Sequence, residues 1–298
     1  MNRSPGLAGS SAPRGPATHW RAVGLATAGL LAIALATVSA TARHDEPSPS
    51  HDGLSPGEPS ATFGTTPTTI VSATASPRLT LPGYTFDDEF DGTTIDPIWT
   101  HDFGFTGTEN AWSNSQSSVA NGMLTIMAQR TGFGWASDVL DTKTTWTQQY
   151  GYFEARMKIP KGAGLWPAFW LYASQHGVQP EIDAMEVCAS PLGENGGNDA
   201  SLLHSTLHWA RGGQRTARVR TVDLSLDFHV YAVDWRADHV AFLLDGVEVA
   251  RFTDPAHIPA TPLPLILDLA VGGPLCGPST ALTPNPSVLQ IDWVRAMS

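Results

Sequence analysis

The chain has 298 residues and a formal net charge of −11 at pH 7, with 42% hydrophobic and 15% charged residues. An excess of acidic groups disfavours nucleic acid and anionic membrane surfaces as binding partners. It places no restriction on neutral ligands.

Residues 1–42 have the pattern of an export signal. Three arginines precede an uncharged, alanine- and leucine-rich stretch from Ala22 to Ala42, and small residues at positions 38–42 suit a signal-peptidase site. We therefore predict a secreted, extracellular protein. The alternative is a membrane-anchored extracellular domain, because an uncleaved apolar stretch of this length can also span a bilayer.

Two further segments follow the signal. Residues 43–78 are rich in Pro, Ser, Thr and Gly and nearly lack large apolar side chains, which predicts a disordered linker. Residues 79–298 suit a single β domain. Removal of residues 1–42 takes away three arginines and no acid, so the remaining chain carries a formal charge of −14.

The domain is predicted to be all-β. Apolar runs are short and are separated by Gly, Pro and Asp/Asn turns, and Asp245-Gly246 between two such runs indicates a tight hairpin. These features favour an antiparallel sandwich. We predict strands over Met123–Gln129, Tyr152–Ile159, Trp166–Tyr172, Glu181–Val187, Leu203–Trp209, Phe228–Trp235, Val240–Leu244, Val247–Phe252, Leu265–Val271 and Val288–Arg295.

The segment EIDAME (181–186) places three carboxyl groups in a strand with apolar flanks. On a regular strand Glu181 and Asp183 share one face and Glu186 faces the other way. A β-bulge between Asp183 and Glu186 would bring all three to one face. A calcium cluster or a solvated edge strand is the alternative interpretation.

Three acids on one face would suit the cleavage of glycosidic bonds. With a bulge, the Cα atoms of Glu181 and Glu186 lie roughly 13 Å apart. Side chains leaning towards each other can then approach the roughly 5–5.5 Å carboxyl separation of retaining glycosidases. Asp183 between them raises the pKa of a neighbouring acid by like-charge repulsion.

Several motifs, taken together, resemble glycoside hydrolase family 16 in its bacterial endo-β-glucanase and laminarinase-like branch. The resemblance covers about Tyr84 to Met297. The matching motifs are FDDEFDG at 86–92, GYFEARMKIPKGAGLWPAFWLY at 151–172, EIDAMEV at 181–187, STLHW at 205–209, FHVYAVDW at 228–235, LDLAVGG at 267–273 and IDWVRAM at 291–297.

The resemblance implies a β-jelly-roll sandwich with a concave glycan-binding cleft and an endo-acting, retaining mechanism. It also implies roles for the acids: Glu181 is the nucleophile, Glu186 the acid/base and Asp183 the assisting carboxylate. Catalysis of this kind needs no cofactor.

The resemblance further implies substrate-binding residues. Trp166 and Trp170 share one strand face roughly 13 Å apart, a spacing that suits stacking on sugar rings. His208 matches a cleft histidine of the family. Asn110 and Trp112 match the family's negative-subsite segment only loosely, because TENAWSNSQ lacks the tyrosine of the usual pattern.

Three other features follow from the resemblance. Glu89 and Asp292 match positions that help to hold a structural calcium ion in many family members. Cys188 and Cys276 would both lie near the active-site face, where they form either a disulfide or two buried thiols. Asp268 stands where the family strand usually carries Asn, and an extra acid there needs a partner or a proton.

The run RGGQRTARVR contains Arg211, Arg215, Arg218 and Arg220. We expect a solvated loop that offsets the acidic surface. The alternative is a clamp for an anionic glycan, because guanidinium groups bind carboxylate or sulfate in a bidentate manner.

We predict an exported, monomeric endo-β-glycanase whose partner is a polysaccharide, cut at β-1,3 or mixed β-1,3-1,4-glucan linkages. The alternatives are the same machinery acting on a galactan or an acidic bacterial exopolysaccharide, a transglycosylase, and a non-catalytic glycan-binding sandwich.

Overall fold

The computed structural model describes residues 83–101, 104–173, 180–193, 195–209 and 212–298. The predicted signal at 1–42, the predicted linker at 43–78 and Arg211 lie outside these ranges. Within them, no helix is both long enough and apolar enough to cross a bilayer.

The regular secondary structure of the described residues is almost entirely β-strand, which confirms the all-β prediction. Two 3₁₀ turns occur at Asn114–Gln116 and Asn195–Gly197. The strands are β1 (Tyr84–Asp88), β2 (Asn110–Trp112), β3 (Ser117–Val119), β4 (Leu124–Thr131), β5 (Gly134–Ser137), β6 (Val139–Asp141), β7 (Gly151–Lys158), β8 (Leu165–Tyr172), β9 (Glu181–Val187), β10 (Leu202–Trp209), β11 (Gly213–Arg220), β12 (His229–Trp235), β13 (Val240–Leu244), β14 (Val247–Phe252), β15 (Leu265–Val271) and β16 (Ser287–Met297).

The strands form two sheets, as expected for a jelly-roll sandwich. The larger sheet has the order β14-β13-β12-β7-β16-β4-β5-β2, with β1 beside β16 and β3 beside β4. The smaller sheet has the order β11-β10-β9-β8-β15-β6. Among the described strands, the pairs are antiparallel except β2 with β5, which is parallel.

Apolar side chains from both sheets fill one core. Phe153 and Trp235 of the larger sheet are fully buried with Phe169 and Ile182 of the smaller one. Full burial of such a side chain contributes about 1.5–3 kcal/mol. Because Ile182 points into this core, its neighbours along β9 point to the outer face of the smaller sheet, which we call the acidic face.

All ten predicted strands are present, with ends that differ by a few residues. The hairpin at Asp245-Gly246 joins β13 to β14, and both turn residues have positive φ angles, 51° and 77°. The prediction of a loop for the arginine run is wrong, because Gly213–Arg220 forms the edge strand β11. The side chains of Ala217 and Val219 point towards the core and pack against it, which stabilises β11 as a strand.

Candidate active site

A β-bulge in β9 brings the three acids to one face, as the sequence predicted. Between Asp183 and Glu186, β9 advances three residues while β8 and β10 each advance two. The extra residue lies at Ala184–Met185 and turns Glu186 onto the acidic face. The buried hydroxyl of Ser205 donates a hydrogen bond to the carbonyl oxygen of Ala184 at 3.0 Å, which holds the bulge from β10.

The acids hydrogen-bond to predicted neighbours and to one another. Nε2 of His208 lies 2.9 Å from Oδ2 of Asp183. The indole N–H of Trp166 donates to Oε1 of Glu186 at 3.1 Å. Glu181 and Asp183 are hydrogen-bonded to each other. Asp183 is buried, whereas both glutamates keep access to solvent, so a substrate can reach them.

The cluster retains protons near neutral pH. Burial, followed by the charge of Asp183, raises the pKa of Glu181 to about 8. Burial, followed by the charge of Glu181, raises the pKa of Glu186 to about 7. Burial and then the charge of Glu186 raise the pKa of Asp183 well above its usual value. Acid catalysis needs a carboxyl group that is still protonated at working pH, and this cluster provides one.

One group in the described part of the chain also has the spacing of a cation site. Glu181, Asp183 and His208 each place one ligand atom within 4.8 Å of the others. The hydrogen bonds described above already join these three side chains through Asp183.

Glu89 and Asp292, the predicted calcium ligands, each pair with an arginine. Glu89 pairs with the guanidinium of Arg295, and Asp292 pairs with that of Arg156 at 2.6 Å. Each carboxylate is therefore neutralised by a different arginine. Neither belongs to a described cluster of three or more His, Cys, Asp or Glu side chains.

The two predicted indoles differ in exposure. Trp166 is half-buried and packs on Gly273, where φ is +111° and an added Cβ would lie 2.8 Å from the ring. Trp170 is only 8% exposed, and its ring contacts Phe105 and Tyr172 at centroid distances of 6.0 and 5.7 Å. The ring of Trp166 is therefore accessible from solvent. The ring of Trp170 is buried beneath the surface of the acidic face.

Phe105 was not predicted and links the aromatic side chains of this face. Its ring lies 4.9 Å from that of Trp112 and 6.2 Å from that of Trp166, and its carbonyl oxygen accepts the indole N–H of Trp112 at 2.9 Å. The available signal was an aromatic residue in a glycine-flanked loop, GFTG at 104–107.

Asn110 joins β2 to the end of β15. Its Oδ1 accepts the backbone N–H of Val271 at 2.9 Å, and its buried Nδ2 has no hydrogen-bond partner among the described residues. The neighbouring Glu109 packs on Gly272, where φ is +75° and a Cβ would lie 2.6 Å from Glu109. The glycines after β15 thus allow this segment to approach the acidic face, and its contact with substrate stays a prediction.

Cys188 and Cys276 form a disulfide across 88 residues of sequence. Nδ2 of Asn198 donates a hydrogen bond to the carbonyl oxygen of Leu275, the residue before Cys276, at 2.8 Å. Its Oδ1 lies 2.7 Å from Nε2 of His204, so His204 carries its proton on that nitrogen. His204 pairs with Glu186 in the register of β10 and β9, and the disulfide loop is thereby connected to the acids.

The arginines of β11 point in different directions. Arg218 pairs with His204 and lies on the acidic face with an exposed side chain. Arg215 has the opposite orientation and lies over the ring of Phe252 at 5.2 Å. Arg220 forms an ion pair at its own end of β11. Only Arg218 of the described three is thus both on the acidic face and without an ion pair.

An antiparallel β-sandwich with proton-holding carboxyl groups beside accessible aromatic rings has the architecture of a carbohydrate-cleaving enzyme. The model of the family "Glycosyl hydrolases family 16" matches residues 106–295. The chain belongs to this family.

Named relatives agree with this assignment. The chain is 33% identical over 193 residues to endo-1,3-1,4-beta-glycanase ExsH of Rhizobium meliloti, covering 61% of this chain but 39% of that protein. It is 32% identical over 252 residues to a beta-glucanase of Rhodothermus marinus, covering 70% and 83%. The laminarinase catalytic domain of Thermotoga maritima superposes with a TM-score of 0.64 at 26% identity, covering 72% and 97%.

Proposed function

We propose that the protein is an exported, endo-acting, retaining β-glycanase that hydrolyses β-1,3 or mixed β-1,3-1,4-glucan. The observation that carries the proposal is the bulged strand β9, which places Glu181, Asp183 and Glu186 on one face. Export is supported by the composition of residues 1–42. The names of the relatives support the choice of β-glucan.

The reaction has two steps. Glu181 attacks the anomeric carbon while Glu186 protonates the leaving glycosidic oxygen, which gives a covalent glycosyl-enzyme. Glu186, now ionised, takes a proton from water as the water attacks the anomeric carbon and releases Glu181. The indole N–H of Trp166 donates a hydrogen bond to Glu186 and so orients the carboxyl group of Glu186 in both steps.

Glu181 must be ionised to act as nucleophile, although its pKa of about 8 lies above that of Glu186 at about 7. Glu181 can still be ionised at neutral pH because it is hydrogen-bonded to Asp183, and the two carboxyl groups share a proton. When the proton lies on Asp183, Glu181 is the anion. His208 on the far side of Asp183 keeps that carboxyl in place.

Incubation of the purified 298-residue chain with a panel of glycans tests the proposal. We expect new reducing ends from laminarin and lichenan, but none from agarose, carrageenan or acidic bacterial exopolysaccharide. Cleavage of the neutral glucans should change little with ionic strength, because stacking on Trp166 and hydrogen bonds to hydroxyl groups are only weakly screened. The Glu186→Gln variant is the control for background hydrolysis.

One observation favours an acidic exopolysaccharide as the second candidate, namely the exposed guanidinium of Arg218 on the acidic face. In that case cleavage would fall steeply with added salt, since exposed charges are screened over about 8–10 Å at physiological ionic strength. Arg218→Gln would then lower activity, whereas Arg215→Gln, on the opposite side of β11, would not. Salt-sensitive cleavage of an acidic polymer without cleavage of laminarin or lichenan would contradict the choice of β-glucan.

A further inference from the structure

Asp268 lies in the middle of β15, and its side chain is on the acidic face. In the register of the smaller sheet it pairs with Ala168 of β8, which in turn pairs with Glu186 of β9. Paired residues of adjacent strands share a face and lie about 4.8 Å apart. Asp268 and Glu186 therefore flank the single methyl group of Ala168, and no larger side chain stands between them in that row.

The carboxyl group of Asp268 is buried among hydrogen-bond donors without a cation. Its residue is 1% exposed, and Oδ1 accepts the indole N–H of Trp170 at 2.8 Å. The backbone N–H of Ala270 is a second donor. None of the ion pairs among the described residues includes Asp268. An ionised carboxylate in such a position costs several kcal/mol.

The titratable groups that face Asp268 are themselves mostly acids. Glu186 and Asp183 lie on β9, and Asp141 lies on β6, where it pairs with Ile266, two residues from Asp268. Beyond Asp183, His208 lies on β10 and contacts Asp183. Burial, together with the charge of Glu186, raises the pKa of Asp268 to about 8, so the side chain retains a proton at neutral pH.

We propose that Asp268 is a positioning residue for Glu186: a buried carboxyl group on the far side of Ala168 whose ionisation is coupled to that of the acid/base. The proposal rests on the proposed function, in which Glu186 is the acid/base. Whenever one of the two carboxyl groups ionises, its charge opposes ionisation of the other, so the two protons leave in coupled steps.

The variant Asp268→Asn separates the structural role of this side chain from its titration. Asparagine keeps an acceptor for the indole N–H of Trp170 but can neither lose a proton nor carry a charge. We expect the alkaline midpoint of kcat/KM, measured from pH 5 to 10, to move to lower pH by a fraction of a unit, because only molecules in which Asp268 has ionised hold the Glu186 proton more tightly. The control Asp223→Asn, at an ion pair with Lys161 outside the acidic face, should leave the midpoint where it is. An unmoved midpoint in Asp268→Asn, or one at higher pH, would overturn the positioning role.

Unfolding by urea gives a second readout that does not depend on activity. The folded-state pKa of Asp268 lies above the unfolded value, so its contribution to stability is full below about pH 4 and is lost as pH rises to about 8. The free energy of unfolding of the wild-type chain, relative to Asp268→Asn, should therefore fall across this window and level off above it.

The control Asp223→Asn should behave differently. Although burial alone would raise it, the hydrogen bond from Lys161 lowers the pKa of Asp223, so the effect of this substitution on stability should be constant from pH 5 to 9. A constant difference for Asp268→Asn as well would mean that Asp268 is ionised throughout, and the proposal would fail. If the wild-type chain cleaves no β-glucan, the proposed function fails, while this measurement still decides whether Asp268 carries a proton.

Discussion

Replacing Glu186 with glutamine is expected to lower kcat on a β-glucan by roughly 10²–10⁴-fold, because the leaving oxygen then lacks its proton donor. Glu181→Gln should cost at least as much, since no covalent intermediate can form without the nucleophile. Reducing-end assays on both variants measure these losses. The matched control is Glu248→Gln, because Glu248 is exposed and pairs with Arg251 on β14, away from the acidic face; its turnover should equal that of the wild-type chain.

Azide distinguishes the roles of the two glutamates. In Glu181→Ala, azide can occupy the space of the nucleophile and attack from the α-face, which gives an α-glycosyl azide. In Glu186→Ala, azide can intercept the glycosyl-enzyme formed on Glu181 and gives a β-glycosyl azide from a substrate with a good leaving group. The opposite pairing of variant and product would exchange the two roles while keeping the same acidic face.

Asp183→Asn should have a smaller effect than either glutamate substitution, because asparagine can still hydrogen-bond to Glu181 and to His208. It carries no charge, however, so the repulsion that raises the pKa of Glu181 is lost and the nucleophile should ionise at lower pH. We expect kcat to fall and the acidic limb of the pH profile to shift. Near-wild-type kcat in Glu181→Gln, measured beside this variant, would show that the nucleophile is assigned to the wrong residue.

Loss of the disulfide is expected to have the largest effect on stability. The bond between Cys188 and Cys276 spans 88 residues, and closure of a loop of this size stabilises the folded state by up to about 4–5 kcal/mol. The double variant Cys188→Ala/Cys276→Ala should lose stability in this range in urea unfolding. A reducing agent should destabilise the wild-type chain but leave the double variant unchanged.

Titration of free thiols shows whether Cys188 and Cys276 are bonded to each other. The unfolded, unreduced wild-type chain should show no free thiol from these two residues. Two free thiols would mean that the bond does not form, and the expected loss of stability would not apply.

The sequence predicted the main strands because their patterns are local. Alternation of apolar and polar residues and turn residues such as Asp245-Gly246 specify strand and hairpin without reference to the rest of the chain. The bulge in β9 could also be predicted, because only an extra residue places Glu181, Asp183 and Glu186 on one face.

Other features depend on contacts that the sequence does not display. The arginine run of β11 looks like a solvated loop, and it forms a strand because it pairs with β10 along its full length. Trp170 was expected to be open to sugars, but Phe105, which is distant in sequence, packs against its ring. Glu89 pairs with Arg295, which is distant in sequence, and this ion pair could not be predicted from local pattern.

The measurement that tests the central claim most directly is proton NMR of lichenan or laminarin during the first minutes of hydrolysis by the wild-type chain. A double displacement through Glu181 predicts that the β-anomer of the new reducing end appears first and that the α-anomer accumulates only by mutarotation. Initial release of the α-anomer would show that water attacks directly between the carboxyl groups, which contradicts the proposed mechanism.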